Sequence, residues 1–287
     1  MKDVESERRL AIFDGMIFLG LDVGFSLRED TSAVCTIAMR GSSVEVESRR
    51  CGNGERRVTT ALKDLLGPGG LAQAAAIDGP LVRNPGHTTY YRLADKVLSR
   101  GAFQKRCKPG QTSAPVGQSL HHMATEVARP VGTCLDNSAA GTDPRITTGN
   151  LYEAFPNAFL GVMLPDRCWP EQPVGRRRKG DALWNACLGE GKLDEAFRVI
   201  LGHAPKDDLR AATWNRDERS AVICGLTAAA GGLGKCVAVG DCEKGYIFLP
   251  PRELWEDWAL ATLDRNYSAI RGECHEGERW LNGNRWH

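Results

Sequence analysis

Apolar residues alternate along the chain between short runs and helical repeats, a pattern typical of an α/β protein. The first run, Met16 to Leu21, ends in Asp22 and predicts a buried strand followed by a turn. The segments from Ser32 to Met39 and from Ser43 to Arg50 predict two more strands, joined by a turn at Gly41. The first three strands are therefore expected to form an antiparallel meander. Near the end of the chain, the segments from Cys236 to Val239 and from Gly245 to Leu249 predict closing strands.

A helix and a fourth strand follow the meander. ERRVTTALKDLLG repeats its apolar residues on one helical face and ends at Gly67. The next apolar run, AQAAAIDGPL, ends in Asp78, much as the first run ends in Asp22. A strand, a helix and a strand in this order favour a parallel crossover, which would bring Asp22 and Asp78 to the same edge of the sheet. The simpler alternative is that each aspartate only ends its strand or forms a turn.

Two further carboxylates stand out from their surroundings. Glu153 lies between apolar and aromatic residues in the predicted strand LYEAFP, where a carboxylate needs a partner such as a metal ion or an arginine. Asp217 opens a helix whose predicted core face carries Ala221, Val222, Leu226 and Ala229. An acidic residue at a helix start is also a common cap, which is the alternative for Asp217.

The strongest local concentration of positive charge lies in GRRRKGD. It contains Arg176, Arg177, Arg178 and Lys179, which are candidates for phosphate contacts or, alternatively, form the solvated start of a helix. The chain of 287 residues has a net charge of only +1, so nucleic-acid binding would require such a local basic patch. With 42% hydrophobic residues, dominant disorder is excluded.

The cysteines favour a reducing environment. The chain contains ten cysteines but no CxxC pair, and Cys236 and Cys242 have no second matching pair, so neither a zinc site nor a disulfide framework is indicated. The first residues, MKDVESERRL, are charged and unlike a signal peptide, and the apolar runs are too short to cross a membrane. We therefore expect a cytoplasmic protein that makes no membrane contact.

Several stretches, taken in order, resemble the predicted RNase H-like nucleases of the domain-of-unknown-function family 429. The resemblance runs from Met16 to Pro251 and rests on the joint order of its motifs. These are GLDVG, AIDGPL, YEAFPNAFLG, RRRKGDALWNACL, DERSAVICGLTAA and GYIFLP. The resemblance implies an RNase H-like fold: a mixed five-stranded sheet with an antiparallel first trio, flanked by helices. Helical insertions are expected around residues 83–149 and 165–215, with a lead over 1–15 and a C-terminal helix and tail over 252–287.

In that superfamily, carboxylates from the first strand, the fourth strand and the last helix hold divalent metal, usually Mg²⁺ or Mn²⁺, whose preferred ligands are hard oxygens. The resemblance assigns these places to Asp22, Asp78 and Asp217, with Glu153 as an additional ligand or positioning group. Related sequences commonly carry an aspartate where this chain has Ser220. Asp217 lies about one helical turn earlier and is expected to take its place.

The resulting prediction is a metal-dependent phosphodiesterase that cleaves nucleic acid, either RNA or DNA, by a two-metal mechanism. Arg176, Arg177, Arg178 or Lys179 would contact the phosphates. Two alternatives remain open. One is a catalytically inactive binding or scaffold protein, favoured by Ser220 and the near-neutral charge. The other is a phosphotransferase of the actin-like ATPase type, because GLDVGFS is similar to the first phosphate loop of those enzymes.

Overall fold

A computed structural model describes residues 15–24, 30–82, 84–86, 91–136, 150–169, 176–241, 243–271, 279–281 and 284–286. For residues 176–178, 271, 279–281 and 284–286 it describes the backbone alone. The strands are β1 (Met16–Asp22), β2 (Ser32–Arg40), β3 (Ser43–Cys51), β4 (Ala74–Asp78), β5 (Leu151–Ala154), β6 (Val237–Asp241), β7 (Gly245–Leu249), β8 (Arg279–Leu281) and β9 (Asn284–Trp286).

Helices cover much of the rest of the described chain. They are α1 (Glu55–Leu66), α2 (Leu93–Leu98), α3 (Gly101–Arg106), α4 (Pro115–Gly132), α5 (Pro156–Val162), α6 (Arg176–Gly189), α7 (Lys192–Leu201), α8 (Arg216–Gly232) and α9 (Asp257–Arg271). Two short 3₁₀ turns cover Asp166–Cys168 and Arg252–Leu254. None of the helices that the structure describes is both long and apolar enough to span a bilayer.

The protein is an α/β protein with a mixed sheet flanked by helices. Strand β1 pairs antiparallel with β2, and β2 pairs antiparallel with β3, so the antiparallel first trio is confirmed. On its other side β1 runs parallel to β4, followed by β5 and β7, also parallel, and by the antiparallel β6. The sheet order is therefore β3-β2-β1-β4-β5-β7-β6, and the hairpin β8-β9 continues it beyond β6.

The expected number of five strands is wrong, because seven strands, β1 to β7, form the mixed sheet. The two closing strands predicted from the apolar pattern, β6 and β7, belong to this same sheet. Strand β7 joins β5 through the pairing of Phe248 with Ala154, and β6 then pairs with β7 along its whole length. Strand β7 thereby covers the edge of β5, which would otherwise expose unpaired backbone N–H and C=O groups.

The central strands are buried on both faces, which explains their nearly continuous apolar sequence. Ile17, Leu19 and Leu21 of β1 pack in the core cluster that contains α1 and α4. Phe18, between them, belongs to the cluster that contains α8. Because side chains alternate along a strand, Asp22 continues the series on the α8 face. Asp78 likewise continues the series of Ala74 and Ala76 on β4, which pack in the α8 cluster.

Helix α8 lies unusually close to β1. A Cβ atom added at Gly20 would lie 2.8 Å from the Cα of Gly225, and closer still to the Gly225 nitrogen and the Ala221 oxygen. The Cβ position of Gly232, further along the helix, lies 3.3 Å from Phe18. The helix therefore runs antiparallel to β1, and its first turn lies over the carboxyl end of that strand.

Candidate metal and phosphate site

Asp22 and Asp78 are neighbours at the edge of the sheet where β1 and β4 end. The parallel register of the two strands pairs Asp22 directly with Asp78, and both residues are on the α8 face. The side chains of the pair form a hydrogen bond with each other. The sequence prediction that these two residues meet at one edge of the sheet agrees with this geometry.

Ionising both carboxyl groups at the same time is energetically unfavourable. Burial, together with the nearby Asp78 and Asp217 carboxylates, raises the pKa of Asp22 well above its usual value. Burial also raises the pKa of Asp78 to about 7, although its hydrogen bond with Asp22 works against this shift. Two like charges this close stabilise a shared proton or a cation between them. At neutral pH the pair therefore favours keeping a proton on one of its two carboxyl groups.

Asp217, in the first turn of α8, also lies near Asp22. Two residues along β1, from Gly20 to Asp22, cover about 6.6 Å. Four residues back along α8, from Ala221 to Asp217, cover about 6 Å in the same direction. The close contact between Gly20 and the helix thus brings Asp217 near Asp22, and the carboxylate contributes to the raised pKa of Asp22. Asp217 itself is 7% exposed.

A capping box fixes where α8 begins. The Oδ1 atom of Asn215 accepts hydrogen bonds from the backbone N–H groups of Asp217 (2.8 Å) and Glu218 (3.0 Å). The Glu218 carboxylate in turn accepts one from the Asn215 N–H, at 2.9 Å. Both halves of the box are therefore formed, and the cap is supplied by Asn215 rather than by Asp217. The Asp217 carboxylate is left available for other contacts.

Arg216 makes the principal contact with Asp217. Its Nε and Nη2 atoms donate to Oδ1 of Asp217 at 3.1 and 2.9 Å. The sequence prediction did not include Arg216 in the site. The signal that could have found it is the pattern NRDE, in which a cap and a glutamate three residues later place Arg216 and Asp217 in the first helical turn.

Glu153 lies on the opposite face of the sheet from the aspartate pair. In the register of β4 and β5 it pairs with Ile77, whereas the partner of Asp78 is Ala154. Both Nη atoms of Arg92 donate to the Glu153 carboxylate, one of them at 2.7 Å, and the Leu81 N–H donates at 3.0 Å. The structure therefore gives Glu153 an arginine, one of the two kinds of partner expected for it, and the charge of Glu153 also contributes to the raised pKa of Asp78.

The Arg92 and Glu153 pair is part of a larger buried network. Asp95 accepts from Nε of Arg92 at 2.8 Å and from the Thr112 N–H at 2.9 Å. Burial raises the pKa of Glu153, although Arg92 opposes this. Each charged group in this network has an oppositely charged partner, as buried charges require. The network ties the chain after β4 to α2 and to the start of α4, behind the candidate site.

The basic cluster begins α6, which packs beside α8. The side chains of Arg176, Arg177 and Arg178 lie outside the described residues. Lys179 donates from Nζ to the Lys105 carbonyl oxygen at 3.0 Å, and burial lowers its pKa. The next residues, Gly180 and Asp181, line a shallow pocket together with Arg216, Arg219 and Ser220. The residues that follow the basic segment therefore line the same pocket as Arg216.

A hydrogen-bonded turn holds the chain that leaves β1. The Gly24 N–H donates to Ser32 Oγ at 2.9 Å, and this hydroxyl donates to Asn53 Oδ1 at 2.8 Å. The Thr31 N–H donates to the same Asn53 oxygen at 3.1 Å. A side chain at Gly24 would overlap Thr31, so a glycine is required there. Ser26, which belongs to the phosphate-loop alternative, lies outside the described residues.

The donor set fits a divalent cation only in part. Asp22 and Asp78 supply adjacent hard oxygen ligands, as Mg²⁺ and Mn²⁺ prefer. Among the described residues, however, no group of three or more His, Cys, Asp or Glu side chains is arranged to hold a metal ion. The contact between Asp217 and Arg216 gives a physical reason, because the guanidinium already engages the third carboxylate.

Comparisons of the chain with models of protein families, with curated proteins and with solved structures give no significant match.

Proposed function

We propose that this protein is a metal-dependent phosphodiesterase with an RNase H-like fold and that its substrate is nucleic acid. The observation that supports this most is the pairing of Asp22 with Asp78 across parallel strands, at the carboxyl edge of the sheet. Open α/β sheets bind their ligands at this edge. A pair of buried carboxyl groups with raised pKa values is also typical of functional sites.

The topology gives a second line of support. The antiparallel first trio, with β4 and β5 parallel to β1, agrees with the mixed sheet that the resemblance implies. Strands β7 and β6 would be additions to its edge. The last long helix packed on the central strands is α8, and it delivers Asp217 toward Asp22, where the superfamily places its third carboxylate.

In this proposal Asp22 and Asp78 hold Mg²⁺ or Mn²⁺, and Asp217 completes the ligand set in place of the acid absent at Ser220. The bound metal would activate water and stabilise the leaving oxygen of a phosphodiester. We assign the contacts with the nucleic-acid backbone to the basic start of α6, residues 176–179, because this helix packs against α8. Such contacts provide affinity without reading sequence.

A binding protein without catalytic activity is the second candidate. Two features favour it: Ser220 stands where the family that the chain resembles commonly carries an aspartate, and Asp217 is bonded to Arg216 instead of standing free. A binding role would use the same basic surface and would not require metal. In either case we propose a cytoplasmic protein, in line with the free state of the eight cysteines that the structure describes.

A cleavage assay separates the two candidates. Purified protein is incubated with labelled single-stranded, duplex and hybrid RNA and DNA, with Mg²⁺, with Mn²⁺ or with a chelator. We expect metal-dependent cleavage by the wild type and a loss of about 100-fold or more in Asp78→Asn. Asp64→Asn, which removes an exposed carboxylate paired with Arg49, is the matched control and should cleave normally. Binding without cleavage of any substrate would favour the second candidate.

A further inference from the structure

Arg216 and Asp217 form an ion pair at the mouth of the candidate site. Two guanidinium nitrogens of Arg216 share a single carboxylate oxygen of Asp217. The Arg216 side chain is 47% exposed, whereas that of Asp217 is 10% exposed. One end of the pair is thus fixed inside the protein, and the other is open to solvent.

The charge of Arg216 acts on more than its bonded partner. Asp22, Asp78 and Asp181 all lie close enough to Arg216 to interact with it electrostatically. Three carboxyl groups, Asp22, Asp78 and Asp217, therefore share one neighbouring guanidinium that is always charged. In this arrangement Arg216 supplies the positive charge that a bound cation would otherwise supply.

Arg219, about one turn further along α8, is held quite differently. It pairs with Asp181 at 3.1 Å and lies over the ring of Trp184, with its guanidinium carbon 5.9 Å from the ring centroid. Its side chain is 27% exposed. Arg219 is therefore anchored by an aromatic side chain as well as by a carboxylate, and it offers a control on the same helix.

We propose that Arg216 is a displaceable internal cation, an inference that rests on the proposed function. Without metal it occupies the third carboxylate and compensates the buried aspartates. A divalent cation held by Asp22 and Asp78 would offer Asp217 an alternative partner, and Arg216, released from Asp217, would turn toward solvent. There it binds a backbone phosphate of the nucleic-acid substrate. Arg216 thus couples metal binding to substrate binding.

This role predicts opposite effects on the two ligands. Removing Arg216 removes a competitor for Asp217, so metal should bind more tightly in the absence of substrate. We expect about fivefold, the scale of a partly exposed ion pair. Removing the same side chain deletes a phosphate contact, so nucleic acid should bind more weakly and the slope of log K against log salt should fall by about one. A purely structural partner of Asp217 would not produce this opposition.

The experiment uses the full chain as wild type, Arg216→Ala, Arg216→Gln and Arg219→Ala. Mn²⁺ binding is followed by electron paramagnetic resonance of the free ion, and binding of a labelled oligonucleotide is followed by fluorescence anisotropy over a salt series. Circular dichroism confirms that each variant is folded, and Arg216→Gln serves if Arg216→Ala is not. The expected result is tighter Mn²⁺ binding and weaker oligonucleotide binding in the Arg216 variants, with Mn²⁺ binding unchanged in Arg219→Ala.

Two results would overturn the proposal, and they differ. If the wild type binds Mn²⁺ but the Arg216 variants bind it equally or more weakly, Arg216 is not a competitor and the proposed function survives. If the wild type itself binds no Mn²⁺, the metal-dependent function fails together with the role of Arg216.

Discussion

Gly20 of β1 and Ala221 of α8 are in direct backbone contact, and this contact sets the distance between sheet and helix at the candidate site. No side chain fits between them, because even a Cβ atom at Gly20 would overlap the helix backbone. The third carboxylate, Asp217, is four residues from Ala221 and depends on this contact for its position. The position of Asp217 in the candidate site therefore depends on the glycine at position 20 of β1.

We predict that Gly20→Ala destabilises the protein by about 1–3 kcal/mol, because the helix must move away from the sheet to accommodate the methyl group. The shift would also separate Asp217 from Asp22. Urea denaturation measures the change in the free energy of unfolding. Gly132→Ala, where an added Cβ meets no atom within 4 Å, is the control. Equal stability of Gly20→Ala and wild type would mean that the helix is not held so closely.

The aspartate pair should make stability depend on pH in the direction opposite to that of an ordinary ion-paired carboxylate. Since burial raises the pKa of Asp78 from 3.8 to about 7, its contribution is fully present below about pH 3.8 and is lost progressively as pH rises through about 7. In the presence of a chelator, the wild type should lose stability between about pH 4 and pH 7, and Asp78→Asn should lose less, by on the order of 4 kcal/mol.

Thermal unfolding across this range, with Asp64→Asn as the exposed control, checks the prediction. If the stability of the wild type and that of Asp78→Asn changed equally with pH, the raised pKa of Asp78 would be contradicted. Added Mn²⁺ should restore the stability of the wild type at the alkaline end, since a cation replaces the shared proton.

Glu153 should matter for stability. We expect Glu153→Ala to lower the free energy of unfolding by about 3–5 kcal/mol, because it leaves the buried Arg92 guanidinium without its main partner. Glu190→Ala, which breaks the exposed pair with Arg167, is the control and should leave stability nearly unchanged. Chemical denaturation measures both. If Glu153→Ala folds with full stability but loses metal binding, Glu153 belongs to the site after all.

The local parts of this structure could be predicted from the sequence. Apolar runs located β1, β4 and the closing strands, and the strand, helix, strand order predicted that Asp22 and Asp78 end side by side. These features follow from local patterns and from simple rules of chain topology. The number of strands in the sheet did not follow, because whether β7 pairs with β5 depends on one contact between residues far apart in the chain, Ala154 and Phe248.

The face of the sheet on which Glu153 lies could have been predicted from strand alternation. In LYEA it alternates with Leu151 and so shares the face of that residue, not the face of Ala154 beside Asp78. Its partner Arg92 is 61 residues away in sequence and leaves no local signal. Arg216 was missed for a different reason: its importance arises only because α8 presses against Gly20 and brings its first turn over the aspartates.

Direct measurement of Mn²⁺ binding tests the central claim, that the Asp22 and Asp78 pair is a divalent metal site. Isothermal titration calorimetry of the full chain should show binding to the wild type and to Asp64→Asn, with a loss of affinity of at least about tenfold in Asp22→Asn and in Asp78→Asn. Absence of binding to the folded wild type, or equal binding to all four proteins, would contradict it.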